Sequence, residues 1–226
     1  MIPKIIHYCW FGQKEKPAEV KKMIDTWKRV MPEYEIKEWN ESNFEISQCR
    51  FTREAYATGN YAYVSDVARL KALYDYGGIY LDTDIEVLKT FDPYLDCRSF
   101  CGAEYKWIGC GVIGAEKGCL WIKIFLEFYL KRRFVNWWGH AVRTANTKLL
   151  TLKVWPLIPP TSVPFVYDVD VFCAKNWSNG ELLITEKTVC IHHYACSWNR
   201  KKKSLKQRIT EIIGGLQLRY ITSAKI

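Results

Sequence analysis

The chain has 226 residues, of which 49% are hydrophobic and 25% are charged. This length and composition predict one globular domain, or one domain with a small appendage, and argue against disorder. No apolar run reaches the ~20 residues that a membrane-spanning helix needs, and the first residues lack the pattern of a secretory signal. The nine cysteines are not spaced for zinc, so we expect reduced thiols in a cytoplasmic protein.

The formal net charge of +9 is concentrated near the end of the sequence. Residues 200–226 contain eight lysines and arginines against one acidic residue, whereas residues 1–199 carry a net charge of only +2. Apolar residues recur at helical spacing between 205 and 220. We therefore predict a domain at 1–198 and a basic amphipathic tail at 199–226. The tail is expected to contact an anionic membrane surface peripherally through residues 200–220, or else to pack on the domain.

Strands and helices alternate along the sequence, which is typical of an α/β domain. The predicted strands span 4–9, 34–39, 79–81, 100–104, 111–115, 163–173 and 188–193. The predicted helices span 17–30, 61–76, 119–131, a segment with Trp137 and Trp138, and 204–220. The helix at 61–76 is the clearest, because the glycine pair that follows it is a typical helix end.

The first candidate for chemistry is Asp82-Thr83-Asp84, directly after the strand at 79–81. Strand side chains alternate between faces, so residues two apart point the same way, and two neighbouring carboxylates repel each other unless a cation lies between them. Oxygen ligands of this kind suit Mg²⁺ or Mn²⁺. The alternative is an exposed acidic turn, which a bare Asp-x-Asp more often forms.

Three further groups of residues could belong to the same site. Asp66 and Arg69 share a helix face and could line it, or could form a solvated ion pair. His192 and His193 close a predicted strand, and either could supply a nitrogen ligand or be a structural histidine. Trp10 follows the first strand and could stack on a base or belong to the core.

Taken together, these segments resemble glycosyltransferase family 32, the DXD-containing sugar transferases of capsule and lipopolysaccharide synthesis. The resemblance rests on residues 2–12 (IPKIIHYCWFG), Trp27-Lys28, 61–69 (YAYVSDVAR), 77–84 (GGIYLDTD) and 191–198 (IHHYACSW). Initiating mannosyltransferases and clostridial glucosylating toxins are similar. The resemblance implies a GT-A (Rossmann-like) α/β fold with a mixed central sheet. It also implies Mn²⁺ or Mg²⁺ and a nucleotide-sugar donor, with a UDP-sugar favoured.

The resemblance also implies roles for single residues. Trp10 would stack on the donor base, and Trp198 would close over the diphosphate. Asp84 would bind the metal directly and Asp82 through water, while His193, with His192 as second choice, would add a ligand. The nucleotide-sugar site would also include Ser65, Asp66, Arg69 and Tyr80, and the residues expected to act in catalysis are Asp66, Arg69, Asp82 and Asp84.

The expected acceptor is a polysaccharide, a lipopolysaccharide or a lipid-linked glycan, and relatives imply retention of configuration. Two features depart from the pattern: residues 136–151 lack the Thr-Gly-Pro-like segment of many relatives, and no nucleophile is obvious. Other function classes are a nucleic-acid-binding or Mg²⁺-dependent nuclease-like protein, a silent sugar-binding module and a glycoside hydrolase. We expect no nucleic-acid partner, because the basic residues cluster in the tail and not around the acidic motif. The two aspartates lie too close in sequence to straddle a sugar as a hydrolase requires.

Overall fold

The computed structural model describes residues 1–134 and 146–195. The strands are β1 (Ile5–Cys9), β2 (Glu35–Trp39), β3 (Gly78–Leu81), β4 (Ile85–Val87), β5 (Ser99–Glu104), β6 (Trp107–Ala115), β7 (Phe165–Tyr167) and β8 (Cys190–His192). The helices are α1 (Ala18–Val30), α2 (Arg50–Ala57), α3 (Tyr61–Tyr76), α4 (Leu120–Leu130), α5 (Asn146–Leu149) and α6 (Val169–Phe172). Short 3₁₀ turns lie at Ile46–Gln48, Asp92–Tyr94, Trp155–Leu157 and Pro160–Ser162, and a π-helical turn at Leu150–Val154.

Six strands form a mixed central sheet in the order β2-β1-β3-β6-β5-β7. β1 pairs in parallel with β2 and β3, and β5 pairs in parallel with β7, whereas β6 runs antiparallel to both β3 and β5. The expected α/β fold with a mixed sheet is therefore confirmed. A second, two-stranded antiparallel sheet joins β4 to β8.

Both faces of the central sheet are covered by apolar side chains. Ile79 and Leu81 belong to one hydrophobic core, and Tyr80 between them belongs to the other, as the alternation of strand side chains requires. Helices α2, α3 and α4 cover the Tyr80 side. Helix α1 covers the opposite side, where Trp27 Nε1 donates a hydrogen bond of 2.8 Å to the Ile85 carbonyl and holds β4 against the helix.

The turn from α3 into β3 depends on two glycines. Gly77 and Gly78 have φ values of 70° and 105°, which side chains with a Cβ rarely adopt. A Cβ on Gly78 would also lie 2.6 Å from the Ile5 carbonyl oxygen, so the close pairing of β3 with β1 excludes a larger residue. This turn delivers the chain directly into the strand that precedes Asp82.

Two local predictions differ most from the structure, and in addition β6 begins at Trp107, four residues before its predicted start. The strand predicted at 163–173 ends at Tyr167, and Val169–Phe172 is a short helix. Val171 and Phe172 are buried there, so tertiary packing outweighs the β propensity of the valines. Helix α2 was not predicted, although Phe51 and Ala55 form its buried face at helical spacing. The predicted helices around Trp137 and at 204–220, like the 199–226 tail as a whole, lie outside the described residues.

Candidate active site

The acidic motif lies in a turn between β3 and β4 at one edge of the central sheet. The Ile85 amide donates to the Asp82 carbonyl at 3.0 Å and closes the turn, while the Asp82 amide donates to the Gly111 carbonyl of β6 at 2.9 Å. The two carboxylates were predicted to share a face because strand side chains alternate. That reason is wrong, because the strand ends before Asp82. The turn, and not a continued strand, brings Asp82 and Asp84 together.

A histidine from the second sheet completes an acidic cluster. Ligand atoms of Asp82, Asp84 and His192 all lie within 4.8 Å of one another. The pairing of β4 with β8 sets Ile85 opposite His192, so the histidine lies beside the residue that precedes β4. His192 Nε2 is 3.3 Å from Asp84 Oδ1, and the Ala195 amide donates to Asp84 Oδ2 at 2.9 Å.

The donor set fits a hard divalent cation. Two carboxylates and an imidazole are ligands that Mn²⁺ accepts readily. The Nδ1 atom of His192 is buried and has no hydrogen-bond partner within residues 1–134 and 146–195, which is costly unless a further group binds there. Asp82, Asp84 and His192 are thus the residues that could hold a metal ion.

The expected order of the two histidines is reversed in the structure. His193 Nε2 lies 2.7 Å from Glu86 Oε2 and outside the three-residue cluster. Successive strand residues point to opposite faces, so only one of the pair can face Asp84 with its side chain. His193 contributes through its backbone instead, because its amide donates to the Asp84 carbonyl at 2.9 Å.

Charge within the cluster is balanced by the Asp84–His192 pair. Burial disfavours the charged form of both groups, but their mutual hydrogen bond and attraction prevail. As a result the pKa of Asp84 lies below its ordinary value and the pKa of His192 lies well above 6.5. A ligating imidazole must be unprotonated, so metal binding at this cluster would displace a proton from His192.

Arg69 links the helix motif to the acidic motif. One terminal nitrogen, Nη2, is 3.2 Å from Asp66 Oδ1 and 3.2 Å from Asp82 Oδ1, and Nη1 donates to the Cys110 carbonyl at 2.6 Å. The guanidinium carbon lies 4.4 Å from the centre of the Tyr80 ring. Arg69 is 5% exposed and Asp66 is 6% exposed, so the alternative of a solvated ion pair is excluded.

The remaining polar side chains hold this network in place. Tyr80 donates from its hydroxyl to Asp82 Oδ1 at 2.9 Å, and Asn146 Nδ2 donates to Asp66 Oδ1 at 2.6 Å. Burial raises the pKa of Asp66 to about 6, although the Arg69 charge opposes the shift. Ser65 donates to the Tyr61 carbonyl at 3.2 Å along the same helix. The expected residues of α3 and β3 therefore form one connected group.

Trp10 lies half-buried just beyond β1. Its ring packs against the core on the α1 side of the sheet, and its Nε1 donates to the Lys14 carbonyl at 2.6 Å. The ring is thus fixed in orientation, with part of its surface open. Trp198, the other predicted tryptophan of the site, lies outside the described residues.

Sequence reasoning missed two features of the site. Gly111 forms its floor, because a Cβ there would lie 3.1 Å from Asp82 Oδ2 and 3.1 Å from His192 Cε1. Glu104 lies nearby, and burial raises the pKa of its carboxyl, as do the charges of Asp82 and Asp84. The Gly109-x-Gly111 spacing in a strand could have indicated this floor, since a glycine within a strand often marks a place where a ligand or another segment approaches the backbone closely. No pattern marked Glu104.

Comparison with known proteins agrees with this geometry. Residues 17–101 match the family described as the glycosyltransferase sugar-binding region containing the DXD motif. Two solved structures share the fold: a glycosyltransferase named PaToxG (TM-score 0.54, 20% identity, 70% of each chain) and a glycosyltransferase involved in glycosylation of the major capsid of PBCV-1 (TM-score 0.52, 16% identity, 84% of this chain and 93% of that one). The fold is thus the GT-A glycosyltransferase fold.

One relative is also similar in sequence to part of this chain. Inositol phosphoceramide mannosyltransferase 3 of Schizosaccharomyces pombe is 36% identical over 102 residues, which is 42% of this chain and 27% of that protein. The chain thus spans about a quarter of the length of this relative. The predicted resemblance to glycosyltransferase family 32 is confirmed, and residues 17–101 are similar to its DXD-containing sugar-binding region.

Proposed function

We propose that the protein transfers a hexose from a nucleotide-diphosphate donor, with a UDP-sugar favoured, to a glycan acceptor in a reaction that depends on Mn²⁺ or Mg²⁺. The observation that carries this proposal is the cluster of Asp82, Asp84 and His192, whose ligand atoms all lie within 4.8 Å of one another. When bound there, a divalent ion would supply positive charge to the diphosphate that leaves the sugar.

In this proposal Arg69 acts mainly by orienting the carboxylates. A guanidinium has five N–H donors, and four contacts already join Arg69 to protein oxygens, including Ser65 O at 3.3 Å from Nε. Little of the group is left for a direct phosphate contact. Its burial between Asp66 and Asp82 instead fixes both side chains, one on the sugar side and one on the metal side, before substrate binds.

The acceptor proposed is a polysaccharide, a lipopolysaccharide or a lipid-linked glycan, with retention of configuration as the family resemblance implies. The name of the fission yeast relative identifies a lipid, inositol phosphoceramide, as what that protein acts on. A lipid-linked acceptor would also suit peripheral membrane contact through residues 200–220. No helix of the described residues is long and apolar enough to cross a membrane.

The test is donor hydrolysis by the purified protein with a panel of UDP- and GDP-sugars in the presence of Mn²⁺. Asp84→Asn removes one ligand charge, so we expect it to abolish hydrolysis while the melting temperature stays close to that of the wild type. Asp96→Asn, the same change at an exposed position, is the matched control. Near-normal turnover of Asp84→Asn at modest Mn²⁺ would contradict the proposal. Stabilisation by UDP with Mn²⁺ in a thermal shift assay would separate it from a nuclease-like function.

A further inference from the structure

A floor of glycines extends the site beyond the acidic cluster. Gly109 and Gly111 are two apart on β6, so they share one face of the strand. A Cβ on Gly111 would lie 3.1 Å from Asp82 Oδ2, whereas a Cβ on Gly109 would lie 3.4 Å from Glu104 Cβ and 3.6 Å from its Oε2. A Cβ on Gly109 would also lie 2.9 Å from the Gly102 carbonyl oxygen. Asp82 therefore lies over Gly111 and Glu104 over Gly109, on the same face of β6.

The two ends of this floor are distinct. Two residues of a β-strand span about 7 Å, so Gly109 and Gly111 lie under different side chains. The metal cluster lies at the Gly111 end, and the Glu104 carboxylate does not belong to it. The Gly109 end therefore lies outside the place where the donor diphosphate is expected.

The Glu104 carboxylate is available for a ligand. It is half-buried at the last residue of β5, and it makes no hydrogen bond or ion pair to any other residue of the described ranges. The charges of His192, Asp82, Asp84 and Arg69 all act on it, which agrees with its position beside the cluster. A carboxylate in this state is an acceptor for hydroxyl groups.

An aromatic side chain lies next to it. Trp107 is directly opposite Glu104 in the register of β5 and β6, so the two side chains leave the same face with Cβ atoms about 5 Å apart. The Trp107 ring is partly exposed, and the ammonium groups of Lys106 and Lys148 lie 5.3 and 5.7 Å from its centre. An indole ring offers a large apolar surface for the C–H face of a pyranose, while a carboxylate binds its hydroxyls.

We propose that Glu104 and Trp107 form the subsite for the acceptor sugar, a hexopyranoside, beside the Gly109 end of the floor. The Glu104 carboxylate accepts a hydrogen bond from the hydroxyl group that attacks the donor sugar and orients it, and the Trp107 ring packs against the acceptor ring. This inference rests on the proposed function and assigns the second substrate of the same site.

Comparing hydrolysis by water with transfer to a sugar separates the role of Glu104 from that of Trp107. Donor hydrolysis uses water, which the carboxylate can orient but which gains nothing from an indole ring. The probes are a UDP-sugar with Mn²⁺, alone or with the methyl α-glycosides of glucose, galactose and mannose. We expect Glu104→Gln to lower hydrolysis and transfer alike by about ten- to a hundredfold, as for the loss of one hydrogen bond to a charged group. We expect Trp107→Leu to raise KM for the methyl glycoside by a larger factor than it lowers hydrolysis, with Trp107→Phe restoring transfer.

The controls are Glu116→Gln, directly after the end of β6, and Trp177→Leu at a tryptophan that is 63% exposed. Mn²⁺ affinity and donor KM must stay at wild-type values in Glu104→Gln. A weaker Mn²⁺ affinity, an unchanged rate, or unfolding of both Glu104→Gln and Glu104→Asp would overturn the inference. A wild type that hydrolyses donor but transfers to no glycoside would overturn it and leave the proposed function standing. A wild type that hydrolyses no donor would overturn both.

Discussion

His7 offers a prediction whose size follows directly from its surroundings. The side chain is completely buried, its Nδ1 accepts a hydrogen bond of 3.1 Å from Trp39 Nε1, and its Nε2 lies 2.8 Å from the Gly77 carbonyl. Since Nδ1 accepts, Nε2 must carry the proton and donate it, so the neutral ring satisfies both contacts. Protonation would turn Nδ1 into a second donor facing the Trp39 N–H.

Burial, the largest influence, lowers the pKa of His7 from 6.5 to about 4. The unfolded chain therefore binds a proton near pH 6.5, whereas the folded protein resists it until about pH 4. The contribution of the neutral His7 ring to the free energy of unfolding is fully present above pH 6.5. It is lost as the pH falls from 6.5 to about 4. Linkage gives a loss of about 2 kcal/mol at pH 5 and about 3 kcal/mol at pH 4.

The assay is urea unfolding of the wild type and His7→Gln at pH 7.5, 6, 5 and 4. A glutamine can accept from Trp39 and donate to Gly77 without titrating. The wild type should therefore be the more stable at pH 7.5, and its advantage should shrink by about 3 kcal/mol at pH 4.

Comparing the two proteins removes the effect of Asp66. Burial raises the pKa of that carboxyl to about 6, so its contribution has the opposite sign and is lost as the pH rises from 3.8 to 6. Both proteins contain Asp66, so this contribution cancels in the difference. A stability difference that is constant from pH 7.5 to pH 4 would refute the assigned role of His7.

Three further predictions concern the site and the tail. Gly111→Ala places a methyl group 3.1 Å from Asp82 Oδ2 and 3.2 Å from His192 Nδ1. Mn²⁺ affinity should therefore fall at least about tenfold, with little change in melting temperature. Unchanged Mn²⁺ affinity would argue against a glycine floor under the metal site. Trp10→Ala should raise donor KM more than it lowers kcat, because base stacking is present in ground and transition states alike. A loss in kcat at constant KM would contradict stacking. Unfolding of the variant would favour a core role for Trp10. A chain ended at Trp198 should lose binding to anionic vesicles yet hydrolyse donor, and a full-length protein that ignores such vesicles at low salt would exclude the membrane contact.

Elements with strong local signals were predicted well. The bounds of α3 agree with the prediction. The apolar pattern ends at a glycine pair, and the turn that follows needs positive φ values that glycine adopts readily. The first two strands and α4 agree to within one residue at each end. The error at 163–173 arose where β-branched residues suggest a strand and core packing imposes a short helix instead.

The chemistry was predictable in kind but not in arrangement. The DXD motif, the Asp66–Arg69 pair and the histidine pair are residue types whose combination resembles glycosyltransferase family 32. Which histidine faces Asp84 depends on the register of β8 against β4, and the two strands are about a hundred residues apart in the chain. Local patterns hold no information about that register.

By itself, then, the amino-acid sequence determined the α/β class, the bounds of the main elements and the kinds of side chain in the site, because periodicity, turn residues and charge act over a few neighbouring residues. Only the tertiary structure decided that Arg69 is buried between two aspartates, that His192 and not His193 joins the cluster, and that Glu104 stands over the same glycine floor as Asp82. These contacts join segments that are distant in sequence, and they depend on strand register and packing across the whole sheet.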